Sequence, residues 1–133
     1  MDEAVESPQH TRRYTVEQAN AALPWVSERL VRIRDALGEL LSPEGTTALE
    51  LIDTDRGGSY PGRAVAAATI TLLAAASELH AVDVVLRDAA GGLVDFPSIR
   101  DGEEVYLCWR AGEDRVAWWH KPDAGFAGRQ PLA

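Results

Sequence analysis

Apolar residues in this chain change their period at Val82. Before it they recur every three or four residues; after it they alternate. Side chains share a helix face at a period of 3.6 and a strand face at a period of 2, so the first part reads as helices and the second as strands. Helices grouped before strands point to an α+β fold rather than an alternating α/β one.

The first helix is expected over about residues 15–41. Thr15 followed by Gln18 has capping-box spacing. Val16, Ala19, Leu23, Val26, Leu30, Ile33, Leu37 and Leu40 then form a narrow seam suited to one partner helix. Pro24 lies inside this stripe. It lacks an N–H, but the stripe keeps its phase across it, which favours a kink over a fresh start. Glu28 and Arg32, four apart, pair on another face.

The second helix is expected over about 62–81, where Val65, Ala68, Leu72, Ala75, Leu79 and Val82 repeat the spacing. Nothing charged occurs between Arg63 and Glu78. A helix apolar on all sides must be covered on more than one of them. The first helix covers one; the sheet or a second subunit covers the other, and the expectation is a homodimer through this helix. The uncharged stretch Ala64–Ser77 is shorter than the ~20 residues that span a bilayer. The acidic N-terminus has no apolar run and reads as no targeting signal. Residues 43–62 combine a short apolar patch with turn-rich DTDRGGSYPG, which reads as a helical turn and a mobile loop.

Four strands are expected, at about 84–87, 93–96, 104–109 and 115–119, joined by short turns into an antiparallel meander. The expected architecture is an antiparallel two-helix hairpin packed on a small four-stranded β-meander. It forms a single domain over 13–133, after a disordered tail at 1–12 and ending in a coil at 121–133. Strand parity puts Trp118 and His120 with Val116 on the core face. It puts Trp119 on the other face, exposed with Tyr106 and Arg110.

Thirteen basic residues against twenty-one acidic ones give a net charge of −8. That disfavours nucleic acid and anionic membranes as partners. One cysteine excludes an intrachain disulfide and a CxxC metal site. The reading is an acidic cytoplasmic protein. P-loop, zinc-protease, nucleophile-elbow and dinucleotide motifs are missing from the sequence.

The polar residues of the strand half carry the candidate chemistry. Asp95, Glu113 and His120 offer one histidine and two carboxylates, a set that holds a divalent metal. Glu113 belongs at a hairpin tip and His120 near its open end, separated by roughly 15 Å at ~3.3 Å per residue, so Asp95 with His120 is the closer pair. The alternative is a packed histidine bonded to backbone. Arg110, Glu113, Trp119, His120 and Arg129 form a candidate ligand surface. Gly125–Arg129 reads either as an anion-holding loop or as a strap pinned by Phe126, with Arg129 bonded to an acid. Cys108 reads as a small buried hydrophobe or, with His120 as base, as a nucleophile. His80 completes a helix C-terminus.

Longer segments carry a resemblance. RYTVEQANAALPWV (13–26) resembles the opening of a bacterial family catalogued as domain of unknown function 2203. GLVDFPS (92–98), EVYLCWRAGEDRVAWWH (104–120) and AGFAGRQPL (124–132) resemble its closing signature. The family brings no established activity, substrate or cofactor. The resemblance implies a small, stand-alone bacterial cytosolic protein and draws attention to Asp95, Arg110, Glu113, His120 and Arg129. The function expected is a homo-oligomeric binding or interaction module for a small anionic ligand or a protein partner. The alternative is a metal-binding protein or metal-dependent enzyme using Asp95, Glu113 and His120.

Overall fold

The computed structural model describes residues 10–43 and 60–133. The expected turn and loop at 43–62 therefore lie almost wholly outside the described residues, as do residues 1–9 of the tail. Residues 10–12 are tied down: the Thr11 hydroxyl and the Arg12 amide both donate to Asp83 Oδ2 at 3.0 Å.

Helix α1 spans Val16–Leu41 and α2 spans Tyr60–Ala81. The capping box forms as the sequence requires. The Thr15 hydroxyl accepts from the Gln18 amide at 3.0 Å, and Gln18 Oε1 accepts from the Thr15 amide at 2.9 Å. Helix α1 runs through Pro24 without interruption, so no fresh start occurs there, and Arg32 pairs with Glu28 at 3.2 Å. Its buried seam of Ala19, Val26, Leu30 and Ile33 faces Val65, Ala68, Ala75 and Leu79 of α2. Burying each large aliphatic side chain stabilises the pair by about 1.5–3 kcal/mol.

Helix α2 stops in a glycine-type cap without glycine. The Val84 amide donates to Leu79 O and the Asp83 amide to His80 O, both at 3.0 Å, and Asp83 takes the left-handed conformation at φ 63°. Those are the bonds of a Schellman motif, and Val84 and Leu79 supply its apolar contact.

Five strands follow: β1 (Val85–Asp88), β2 (Leu93–Arg100), β3 (Glu103–Arg110), β4 (Trp118–His120) and β5 (Gln130–Pro131). They lie side by side in chain order, all antiparallel. Four were expected. The fifth comes from the segment read as coil, where Gln130 pairs with Trp119. Strand β2 runs four residues past its expected end because Pro97 lies beyond the last residue that β1 pairs. Its missing N–H interrupts no ladder there, and its carbonyl accepts from the Tyr14 amide at 2.8 Å. Asp101 and Gly102, both at positive φ, close the β2–β3 hairpin, as an Asp-Gly pair does in a type I′ turn.

The inner face of the sheet carries Val94, Phe96, Leu107, Trp109 and Trp119 and packs on both helices, not on α2 alone. Here the structure reverses one expected parity. Val116 is buried in the core, and its amide donates to Asn20 Oδ1 at 2.8 Å. The chain leaves the ladder between Val116 and β4, so the alternation restarts. Trp119 thus lies opposite Leu107 against the core, and Trp118 lies opposite Cys108 on the outer face.

Candidate metal centre

The register of the sheet brings polar side chains together on its outer face. Asp95 pairs with Cys108 and Cys108 with Trp118; Pro97 pairs with Tyr106 and Tyr106 with His120. Across β1, Val85 pairs with Asp95. Alternation then puts Arg87 on the same face.

Asp95, Cys108 and His120 are all buried, and one donor atom from each lies within 4.8 Å of the others. His120 Nδ1 is 2.8 Å from Lys121 O, and Nε2 is 2.9 Å from Asp95 Oδ2. A carbonyl only accepts, so Nδ1 carries a proton and donates. Nε2 faces a carboxylate oxygen, which also accepts when ionised. Something positive belongs between Nε2 and Oδ2: a shared proton or a cation. Arg87 Nε donates to the same Oδ2 at 2.8 Å, whereas the buried Asp95 Oδ1 has no hydrogen-bond partner. Aromatic groups close the surroundings. The Tyr106 ring lies 5.6 Å from that of His120 and 4.9 Å beneath the Arg87 guanidinium, and its hydroxyl bonds His10 Nε2 at 2.7 Å.

Burial, and then the charge of Asp95, push the Cys108 thiol up to about 12. Hardly any thiolate exists at neutral pH, so the nucleophile reading of Cys108 with His120 fails despite their proximity.

The second cluster forms on the loop after β3, and in it the buried Arg129 Nε has no hydrogen-bond partner. Glu113 Oε1 accepts from the Arg110 amide at 2.9 Å, and Oε2 accepts from Arg129 at 2.7 Å. Arg129 stacks on Trp118 at 4.7 Å and on Phe126 at 4.5 Å, and Arg110 stacks on the other side of the set, 4.5 Å from Phe126. This is the strap arrangement of Gly125–Arg129. Leu132 fastens its end by donating to Ala117 O at 2.9 Å.

The structure therefore divides the sequence-derived candidates. Asp95 and His120 meet directly. Glu113 is taken by Arg129 and Arg110, and Cys108 stands as the third donor instead. Trp119 leaves the ligand surface for the inner face, with the Arg100 guanidinium 5.0 Å from its ring. Arg87 and His10 had not been singled out, and Tyr106, expected to be exposed beside Trp119, is buried. Register could have found Cys108: counted outward from the Asp101-Gly102 turn, Asp95 falls opposite it.

A family model for an uncharacterized conserved protein, DUF2203, matches residues 12–132. The chain belongs to that family. No curated protein and no solved structure matches it. Both clusters of this DUF2203 chain, the metal-type trio with Arg87 and the Arg110–Glu113–Arg129 strap, fall inside the matched span.

Proposed function

We propose that this DUF2203 protein is a metal-binding module that takes a zinc-class transition-metal ion through Asp95, Cys108 and His120. The observation carrying this reading is that donor atoms of buried Asp95, Cys108 and His120 lie within 4.8 Å of one another, with Asp95 Oδ1 left without a hydrogen-bond partner. Nitrogen, sulfur and oxygen donors of these types suit zinc and its neighbours at ~2.0–2.3 Å. In this arrangement Asp95 Oδ1 offers its lone pair to the ion and Oδ2 stays with Arg87. The Lys121 carbonyl holds the imidazole, as outer partners of metal-binding histidines do. Three protein donors leave a further position for water or an outside ligand. A bound cation also reverses the condition of Cys108 by favouring the thiolate.

The anionic-ligand reading is weaker because Glu113 already neutralises Arg129, which is stacked on two aromatic rings. A lone thiol serving as ligand suits the reducing cytoplasm.

Cobalt(II) tests the proposal on metal-stripped full-length protein. Binding of one ion per chain with a cobalt–thiolate charge-transfer band is expected, together with release of about two protons at neutral pH. Cys108→Ser should abolish the band, and His120→Asn should weaken binding 10-fold or more. Glu113→Gln should change neither. Binding without a thiolate band, or binding indifferent to both substitutions in variants with native circular dichroism, would overturn the site.

A further inference from the structure

A cavity of about 500 Å³ opens where α1 begins and α2 ends. It shares no residue with the Asp95–Cys108–His120 trio or with the Arg129 strap. Its size lies within the ~300–1,000 Å³ of small-molecule sites. Contacts inside the chain hold its walls. The Tyr14 hydroxyl donates to Val82 O at 2.6 Å and so ties the entry to α1 to the exit from α2. The Trp25 indole has the Arg29 guanidinium 4.0 Å from its ring, and Arg29 is held in turn by Glu28 at 2.7 Å and Glu78 at 2.9 Å. Ala21 and Ala22 stand one turn before Trp25 on the same side of α1, and their short side chains leave the space open.

The polar lining is Arg12, Arg13 and Gln18. Arg13 is engaged, by Glu104 at 3.1 Å and by His10 O at 2.6 Å. Gln18 Oε1 is taken by the Thr15 amide, which leaves the side-chain NH2 free to donate. The Arg12 amide bonds Asp83, but its guanidinium has only the Tyr14 ring, 5.9 Å away, and no carboxylate partner among the described residues. The acids nearby are met by other donors: Asp83 by the Thr11 hydroxyl and the Arg12 amide, Glu104 by Arg13. One uncommitted cation therefore stands at the rim of a largely apolar cavity with an indole in its wall.

We propose that this cavity binds a small aryl carboxylate. The carboxylate lies on the Arg12 guanidinium and the Gln18 amide, and the ring lies against Trp25 over Ala21 and Ala22. A guanidinium meets a carboxylate through two parallel N–H···O bonds. An aromatic ring packs on an indole offset or edge-on, with a gain beyond the area buried. A single free guanidinium matches a single negative charge, hence a carboxylate rather than a phosphate. Arg12 is exposed, so the affinity falls as salt rises.

The proposal is independent of metal binding and is tested by titration calorimetry on full-length protein with benzoate, phenylacetate, indoleacetate and naphthoate. At least one acid should bind once per chain with a Kd below about 1 mM, and its primary amide about 10-fold more weakly or worse. Arg12→Gln should weaken the acid by about 10-fold and erase its advantage over the amide. Ala21→Phe, at an exposed helix position, should fill the cavity and abolish binding while circular dichroism stays native. His120→Asn should bind the acid as the wild type does, which separates this site from the metal centre. Failure of all four acids to bind below about 1 mM, an amide that binds as well as its acid, or binding that survives both Arg12→Gln and Ala21→Phe would each overturn it.

Discussion

Asp95 holds the most demanding position in the molecule. It is a nearly inaccessible carboxylate with Arg87 and His120 on one oxygen and nothing on the other. Removing one member of a buried charge pair commonly costs about 3–5 kcal/mol. Arg87 is 40% exposed and recovers some hydration, so Asp95→Asn is expected near the lower end, about 3 kcal/mol by urea unfolding of metal-free protein. Cys108 gives a second prediction. In the unfolded chain its thiol ionises near 8.5, whereas in the fold it is pushed up to about 12. The neutral thiol is thus favoured by folding. Its contribution is complete below about pH 8.5 and is lost as pH rises towards the folded value. Metal-free wild type should therefore lose more stability between pH 8 and 10 than Cys108→Ser does. Iodoacetamide should label native Cys108 only on unfolding.

At the scale of elements, what was legible followed from periodicity. Both helices, the capping box and the Asp101-Gly102 turn are written in local spacing, and each forms as read. Strand β5 has two residues, too few for an alternation to reveal, and β4, expected at 115–119, has three and begins only at Trp118. Their placement depends on pairing partners distant in sequence, and the orientation of Trp118 and Trp119 depends on them in turn. The candidate site was half legible for the same reason. Asp95 and His120 emerged from strand order, but Cys108 required the register and Glu113 was drawn away by an arginine sixteen residues on. Two element-level expectations follow. Thr15→Ala removes the cap of α1 and should cost about 1 kcal/mol in denaturant unfolding. Arg129→Ala frees the strap, so amides of 121–133 should exchange faster with solvent deuterium while those of α1 keep their protection.

For the whole molecule, the corner where α2 meets the sheet joins parts distant in sequence. Asp83 sits in a left-handed conformation that costs a non-glycine residue of order 1 kcal/mol or more. Its carboxylate holds the Thr11 hydroxyl and the Arg12 amide, with His10 Nδ1 3.7 Å away. Its slight burial pushes the Asp83 carboxyl up, but the bonds from Thr11 and Arg12 and the charge of His10 outweigh this and hold it below the usual range. A carboxylate whose pKa falls on folding stabilises the fold above its unfolded value, about 3.9, and loses that contribution as pH falls through the folded value. Asp83→Asn should therefore lower stability at pH 7 and flatten the acid limb of the wild-type stability curve below pH 4. A limb of unchanged slope in the variant would show that Asp83 does not anchor residues 10–12.

The strand order also bears on how the protein behaves when concentrated. A meander in chain order leaves two outermost strands, and such strands commonly template further sheet growth. Here one is only two residues long and ends on Pro131, which has no amide hydrogen to offer. The other is four residues long, with its register broken between Leu86 and Asp88. Neither presents a flat ladder long enough to recruit a neighbour. Crowding should accordingly not drive these molecules into fibrils through their sheet edges.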